Sequence, residues 1–299
     1  MKRKRTSFYE ASARERIDGI VDRASFRELL PPVARVTSPH LEALDLPAAF
    51  DDGVVVGEGT LDQKRVLVAA EEGQFLGGTV GEVHGGKLTG LLRRALRVAP
   101  AAVLLLLESG GVRLQEANAG LIGVSEVMRS LLSVRAAGIP VLVAIGGQYG
   151  CFGGMGIVAS CADAVVMSEE GRLGLSGPEV IEAARGVEEF DARDRALVWR
   201  TVGAKHRYLL GDCDLLVEDD LAQFRTAFLG FLSTRHPLDL EEIEREQKLL
   251  ERRVEAFGDC PDAVDIWKRL GIGEPEKIPE ASTTHFLEQA RTHRASSSS

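Results

Sequence analysis

The strongest constraint on the fold is a pattern that occurs three times between residues 65 and 168: an apolar strand, a glycine-rich turn and a helix. Strands are predicted at 65–70, 101–107 and 141–145, and a fourth strand at Ala164–Ser168. Alternating β and α units favour a parallel sheet whose strands are joined by right-handed crossovers. The strand at 101–107 contains only apolar residues, as expected for a strand covered on both faces. The sequence therefore predicts an α/β fold.

Helices are predicted between these strands. One is expected at Lys87–Val98, after a glycine-rich turn, and the longest at Gln115–Ala137. Seven apolar residues form the expected buried face of the longest helix: Leu121, Ile122, Val124, Val127, Met128, Leu131 and Leu132.

Two glycine clusters follow neighbouring strands. Gly110 and Gly111 lie in the first turn (residues 108–113), and the stretch Pro140 to Gly156 contains six glycines within eleven residues. So many glycines are incompatible with a stable helix or strand interior, so residues 146–154 are predicted as a second turn. Because ligands of parallel α/β sheets bind beyond the carboxyl ends of the strands, we expect both turns at one site.

Backbone N–H groups in two such turns can together hold an oxygen atom that gains negative charge during a reaction. The predicted donors are Gly111 and Val112 in the first turn, and Gly153 and Gly154 in the second. This arrangement suits a thioester carbonyl that becomes an enolate. The alternative is that the glycines only permit close packing of helices and strands.

Other binding motifs are not matched. The glycine spacing does not fit a dinucleotide fingerprint, and Gly86-Lys87-Leu88 lacks the Ser or Thr of a Walker A loop. The histidines show no pairing at four-residue spacing and the cysteines form no CxxC pair, so no metal site is predicted. Cys151 has no base beside it in the sequence, which argues against a nucleophilic role.

Composition argues against several classes of protein. The formal net charge of −9 argues against nucleic-acid binding. No apolar run approaches the ~20 residues that cross a membrane. The basic cluster Lys2–Arg5 is not followed by the apolar segment of a secretory signal, so a cytoplasmic protein with reduced cysteines is predicted.

The chain is predicted to have three parts. Residues 1–50 carry an N-terminal helix at Ala11–Asp22 and an irregular connection, and residues 51–258 hold the α/β domain. Residues 259–299 form a C-terminal tail, which we expect to be poorly ordered from about Ala281 unless a partner holds it.

Five motifs together resemble the carboxyltransferase subunits of acyl-CoA carboxylases, and they occur in the order found in that family. They are Ala13–Asp18 (ARERID), Gly77–His84 (GGTVGEVH), Glu108–Glu116 (ESGGVRLQE), Cys151–Met155 (CFGGM) and Gly177-Pro178. The family usually has Ala in place of Val112 and of Met155. Backbone donation survives both differences, because only N–H groups are used.

The resemblance implies the crotonase-like fold for residues 51–258, a ββα superhelix with parallel sheets flanked by helices. It also implies that residues of the two turns, and one beyond them, bind the substrate next to the four predicted donors. These substrate-binding residues are Ser109, Gly110, Cys151, Phe152, Met155 and Gly177. Glu108 and Glu116 flank the first turn, where they could act as acid/base groups; we expect them instead to cap and orient the turn.

Within the family, the chain resembles the β subunits of biotin-independent malonate decarboxylases, since it has no four-cysteine zinc ribbon and about half the length of fused carboxyltransferases. This implies loss of CO2 from a malonyl thioester on an acyl carrier protein, giving an acetyl thioester. The thioester would be carried on a phosphoribosyl-dephospho-CoA prosthetic group of the carrier, and no cofactor would be bound directly by this chain.

Three partners are implied: a homologous γ subunit in a heterodimer or larger assembly, the acyl carrier protein, and an α subunit that acts as acetyl-carrier:malonate transferase. Two alternatives remain open. One is a biotin-dependent acyl-CoA carboxyltransferase subunit, and the other is a noncatalytic scaffold that binds the carrier.

Overall fold

The computed structural model describes residues 6–234 and 238–294, so the basic cluster Lys2–Arg5 lies outside the described residues. Within that part of the chain, seven strands form one sheet in sequential order. They are β1 (Arg27–Glu28), β2 (Val54–Leu61), β3 (Lys64–Glu71), β4 (Ala102–Leu107), β5 (Val141–Ile145), β6 (Ala164–Ser168) and β7 (Leu215–Val217).

The sheet has an antiparallel edge and a parallel centre. Strands β1, β2 and β3 pair antiparallel, and β2 is joined to β3 through Asp62 and Gln63, whose φ angles of 52° and 62° suit a two-residue hairpin turn. Strands β3 to β7 pair parallel throughout. The predicted α/β fold with a parallel sheet is therefore confirmed.

Helices surround the sheet. Across residues 6–234 and 238–294 they are α1 (Ala13–Ile20), α2 (Pro39–Ala43), α3 (Glu82–Val98), α4 (Asn118–Ala136), α5 (Gly153–Ser160), α6 (Pro178–Arg185), α7 (Arg195–Val202), α8 (Ala204–Leu210), α9 (Leu221–Phe231), α10 (Leu240–Phe257), α11 (Ala263–Arg269) and α12 (Thr283–Ala290). Short 3₁₀ turns occur at Pro32–Ala34, Leu76–Gly78, Leu114–Glu116 and Pro275–Glu280.

Both faces of the central strands are buried, and alternate residues serve two separate cores. Leu105 and Leu107 of β4 belong to the core that includes residues of α3, α4 and α5. Leu104 and Leu106 belong to the core formed with α1 and α9. Each fully buried leucine stabilises the fold by roughly 1.5–3 kcal/mol, so the apolar strand is held in place from both sides.

Helix α3 starts five residues before the predicted Lys87, because Gly85 lies inside the helix and not in the turn. A Cβ on Gly85 would lie 2.7 Å from the Cα of Gly123 in α4. The glycine therefore permits close contact between two helices, which a residue-by-residue reading of propensity cannot distinguish from a turn.

Two further expectations were wrong. Leu121 and Ile122 of α4 are 57% and 63% exposed, because the helix packs on the core through Val124, Val127 and Leu131 and turns these two residues outward. The segment after Ala281 is not poorly ordered as far as residue 294: it forms α12, and its buried Phe286 packs edge-on against Tyr208.

Candidate active site

The two glycine turns meet beyond the carboxyl ends of β4 and β5. Ser109 N donates to Gly150 O at 2.8 Å, and Phe152 N donates to Ser109 O at 2.8 Å. A Cβ on Gly153 would lie 3.1 Å from the Cα of Gly111, so the turns are in contact at their glycines. The structure thus brings together the two segments in which the sequence placed backbone donors.

A third turn (residues 77–81) supports the first from the opposite side. Gly110 N donates to Gly77 O at 2.8 Å, and the Ser109 hydroxyl donates to Gly78 O at 2.8 Å. Gly78 has φ of 66°, and a Cβ there would lie 1.8 Å from Glu108 O. Only glycine therefore allows this approach, and the third turn fixes the position of the first.

The turns leave only some of the candidate N–H groups free. Gly111 N donates to the Ser109 hydroxyl at 3.1 Å, and Gly153 N donates to Leu175 O at 3.0 Å. Val112 N, Gly154 N and Met155 N donate to no group in residues 6–234 and 238–294. Gly154 and Met155 lie in the first turn of α5, where the helix dipole adds partial positive charge. These three N–H groups can donate to a ligand oxygen.

Most of the candidate substrate-binding side chains face inward. Gly110 is exposed and Gly177 is half-buried, whereas Ser109, Cys151 and Phe152 are buried. Phe152 packs in a small core with Phe190, Val198 and Val202. Burial raises the pKa of the Cys151 thiol well above its usual value, so the thiol is a poor nucleophile.

A buried chain of ionic contacts lies behind the first turn. Arg16 of α1 forms an ion pair with Glu108, with Nη1 and Oε2 2.5 Å apart. Glu108 N donates to Glu71 Oε2 at 2.9 Å, and the other Glu71 oxygen lies 3.2 Å from His84 Nε2. The Glu108 carboxylate also accepts a bond from Tyr149 N, at 3.0 Å. Through Glu108, the N-terminal helix is therefore tied to both turns.

A second buried ion cluster is centred on Arg113. Its Nη1 lies 2.9 Å from Asp52 Oδ1 and 2.8 Å from Glu116 Oε1, and its Nη2 donates to Thr79 O at 2.9 Å. Glu116 Oε2 also accepts a bond from Glu82 N, at 2.6 Å. Burial raises the pKa of the Asp52 carboxyl. The cluster holds the first and third turns together, so Glu116, like Glu108, orients the turns as expected.

The sequence reasoning missed these clusters as a group. The one available signal was the position of Glu108, a charged residue that directly follows an unbroken apolar strand. Its partner Arg16 lies in a different motif, and nothing in the sequence links the two.

Large apolar side chains are exposed on segments that flank the turns. Leu114 is 83% exposed and follows the first turn, while Leu175, whose carbonyl accepts from Gly153 N, is 71% exposed. Leu121 and Ile122 add to this apolar rim (Leu114, Leu121, Ile122 and Leu175). Exposed apolar side chains that lie together mark interaction sites, so these four residues are candidates for a contact with another chain.

Neither a metal-ligand cluster nor a membrane-spanning helix is found in the part of the chain that the structure describes. Among those residues, no group of three or more His, Cys, Asp or Glu side chains is arranged to hold a metal ion. None of the helices in residues 6–234 and 238–294 combines the length and apolar character needed to cross a membrane.

Comparisons with known proteins place these features in a family. The family model described as "Carboxyl transferase domain" matches residues 10–237, which include all three turns. The chain is 39% identical to the malonyl-S-ACP:biotin-protein carboxyltransferase MADC of Malonomonas rubra, over 97% of each chain.

Solved structures give the same picture. A Pseudomonas malonate decarboxylase hetero-tetramer in complex with malonate contains a chain that is 41% identical, with a TM-score of 0.80 over 88% of this chain and 96% of that chain. The Pseudomonas malonate decarboxylase MdcD–MdcE hetero-dimer contains one that is 37% identical, with a TM-score of 0.67 over 83% and 96%.

Proposed function

The chain belongs to the carboxyl transferase family, and we propose that it is the β subunit of a malonate decarboxylase. Its substrate would be a malonyl thioester on an acyl carrier protein, and its products an acetyl thioester and CO2. The observation that carries the proposal is the contact between the two glycine turns, which leaves Val112 N and Gly154 N without partners in the described chain.

The proposed reaction begins when the bond between the carboxylate carbon and the α carbon breaks. The electron pair moves toward the thioester carbonyl, whose oxygen becomes an enolate, and CO2 leaves. Val112 N–H and Gly154 N–H would hold that oxygen, and removal of one such donor typically costs roughly 2.7–4 kcal/mol of transition-state stabilisation. A proton taken up from water is then added to the α carbon, which gives the acetyl thioester.

The side chains at the site would act by holding the turns. Ser109 fixes the first turn to the third, and Gly110, Cys151, Phe152, Met155 and Gly177 would form the surface against which the acyl group and its arm lie. Gly111 and Gly153, whose own N–H groups are used within the protein, would set the distance between the turns. The arm is proposed to be a phosphoribosyl-dephospho-CoA group on the carrier, with no cofactor bound by this chain.

We also propose the assembly in which the chain works. The apolar rim around the turns would be covered by a homologous γ subunit, a proposal supported by the hetero-dimeric state of the similar Pseudomonas MdcD–MdcE protein. The acyl carrier protein and an α subunit with acetyl-carrier:malonate transferase activity would complete it. The four cysteines at 151, 161, 213 and 260 are all free thiols, which supports a cytoplasmic location.

A second candidate function is transfer of the carboxyl group to a biotin protein. It is favoured by the name of the relative from Malonomonas rubra, which includes a biotin protein as acceptor. The enolate step is common to both functions, and only the acceptor differs.

The test uses the chain purified with its homologous subunit and supplied with carboxyl-labelled malonyl carrier. Release of labelled CO2 without any biotin protein, and without inhibition by avidin, is the expected result. Complete inhibition by avidin, or an absolute need for a biotin protein, would establish the second candidate in its place. A folded complex that binds the carrier but releases no label under either condition would be a noncatalytic scaffold.

A further inference from the structure

A guanidinium group that lacks a carboxylate partner lies beside the second turn. Arg172 follows β6, and its own carbonyl accepts a hydrogen bond from Cys151 N at 2.8 Å. This bond fixes the Arg172 backbone to the second turn at Cys151. The next residue, Phe152, is the N-cap residue of helix α5. The side chain therefore starts beside the second turn, and it reaches that turn again at Gln148.

The surroundings of Arg172 hold its side chain without forming an ion pair with it. The guanidinium lies 5.1 Å from the centre of the Trp199 ring and 5.9 Å from that of Phe152. Its Nη2 donates to Gln148 O, and its Nε is buried with no hydrogen-bond partner in residues 6–234 and 238–294. Burial lowers the pKa of Arg172 from its ordinary value, but a guanidinium stays charged at neutral pH.

Other arginines around the turns differ from Arg172 in this respect. Arg16 pairs with Glu108, and Arg113 pairs with Asp52. Arg195, which also lies over the Trp199 ring, pairs with Glu170 at 2.9 Å. Arg172 forms no such ion pair with a carboxylate in the described part of the chain; Glu179 and Glu170 lie near enough only to favour its charged form through space. A half-buried charge without a partner is costly, and an anionic ligand would remove that cost.

We propose that Arg172 binds an oxyanion of the substrate at the edge of the second turn. This inference rests on the proposed function, because the substrate named there carries two kinds of oxyanion: the free carboxylate of the malonyl group and the phosphates of the carrier arm. A guanidinium presents paired donors that fit either group. The thioester oxygen and this oxyanion would thus be held from two sides of the same turn.

The test compares three thioesters with the wild-type complex and with a complex carrying Arg172→Gln. Malonyl-CoA has both a carboxylate and phosphates, S-malonylpantetheine has only the carboxylate, and acetyl-CoA has only the phosphates. The measurements are KM for decarboxylation of the two malonyl compounds and Ki for inhibition by acetyl-CoA. Loss of the interaction should raise the affected constants about 10- to 100-fold, as for a charge-assisted hydrogen bond.

The pattern of change identifies the oxyanion. If Arg172 binds the carboxylate, both KM values rise and Ki does not change. If it binds a phosphate, KM for malonyl-CoA and Ki both rise, while KM for S-malonylpantetheine does not. Three unchanged constants would overturn the proposal. An equal rise of all three would also overturn it, since this would reflect a displaced turn.

Two further variants make the result specific. Arg195 lies over the same Trp199 ring as Arg172 but already pairs with a carboxylate. In Arg195→Gln, all three constants should therefore stay at the wild-type values. Arg172→Lys keeps the charge without the paired donors, and should give a smaller rise than Arg172→Gln; it also provides the test if the glutamine variant does not fold. A wild-type complex that decarboxylates no malonyl thioester would contradict the proposed function itself, whereas an active wild type with unchanged variants contradicts only the role of Arg172.

Discussion

Gly111 and Gly153 contact each other across the candidate active site. Each lies so close to the other that neither position has room for a side chain. A Cβ on Gly111 would lie 3.3 Å from the Cα of Gly153, and one on Gly153 would lie 3.1 Å from the Cα of Gly111. Both residues have positive φ angles, 110° and 59°, which other residues rarely adopt. The spacing between the two turns is therefore set by the absence of two side chains.

Replacing Gly153 by alanine should reduce both activity and stability. The new methyl group would push the turns apart by a few tenths of an ångström, and since a misplacement of ~1 Å can lower a rate by about 100-fold, this shift should lower the rate several-fold. The left-handed backbone adds a stability cost of roughly 1–2 kcal/mol. Initial rates of CO2 release and urea unfolding measure the two effects. Gly86→Ala is the matched control, because a Cβ at this position in α3 meets nothing within 4 Å and should leave activity unchanged.

Removing the Ser109 hydroxyl should loosen the first turn. In Ser109→Ala, Gly111 N and Gly78 O both lose a buried hydrogen-bond partner, which costs about 1–3 kcal/mol for an unsatisfied group. The expected result is lower unfolding free energy, lower kcat/KM and faster hydrogen exchange at the Gly111 amide. Ser133→Ala removes a hydroxyl that bonds only to Arg129 O within α4, and should have little effect on any of the three. Unchanged exchange at Gly111 in Ser109→Ala would contradict the role given to the hydroxyl.

Breaking the buried pair of Arg16 and Glu108 should destabilise the protein strongly. Either Arg16→Met or Glu108→Leu leaves a buried charge without its partner, at a typical cost of roughly 3–5 kcal/mol. The double variant removes both charges, so its loss should be smaller than the sum of the two single losses. Chemical denaturation of the four proteins gives the coupling energy directly. Strictly additive losses would mean that the two residues stabilise the fold independently.

A charge on the apolar rim should weaken assembly without unfolding the chain. Leu121 and Leu175 are exposed, so replacing either by aspartate removes no core contact. Each variant should weaken association with the homologous subunit by at least about tenfold, because a charge would be desolvated at the interface. Sedimentation measures the association. Leu96→Asp, an exposed change near the end of α3 away from the turns, should leave association unchanged.

Acid should destabilise the fold through His206. Burial lowers the pKa of this histidine to about 3, whereas it titrates near 6.5 when unfolded. Below pH 6.5 the unfolded chain gains a proton that the folded chain does not, so stability falls as pH falls. Between pH 7 and pH 5 this group should account for a loss of about 2 kcal/mol.

His206→Asn provides the measurement for that loss. Trp267 Nε1 donates to His206 Nδ1 at 3.2 Å, and an asparagine oxygen can accept in its place without titrating. The unfolding free energy of this variant should therefore change less between pH 7 and pH 5 than that of the wild type. An identical change in both proteins would show that other groups cause the acid sensitivity.

The sequence predicted those parts of the fold that depend on neighbouring residues. An apolar run that ends in glycine identifies a buried strand and its turn, so β3 to β6 and the first two turns could be placed. Parallel pairing then required the two turns to share one edge of the sheet. The sequence could not show which N–H groups remain free. Gly153 N, for example, donates to Leu175 O, which lies in a segment beyond β6.

Contacts between distant segments lay beyond this reasoning. Arg16 and Glu108 are 92 positions apart, and their pairing depends on how α1 packs against the sheet. Leu121 and Ile122 were wrongly placed in the core for a related physical reason. Hydrophobic periodicity predicts which residues of a helix are buried. It does not show whether they are buried by their own chain or by another chain.

The free N–H groups at Val112 and Gly154 have a consequence for genetics. On the proposed assignment, the reacting oxygen is held by backbone N–H groups, which every residue except proline has. The donors therefore do not depend on which side chain is encoded at these positions. Scanning with alanine would therefore pass over the donors and detect only the residues that shape the turns. Replacing a single peptide N–H by an ester oxygen would remove a donor while keeping the side chain.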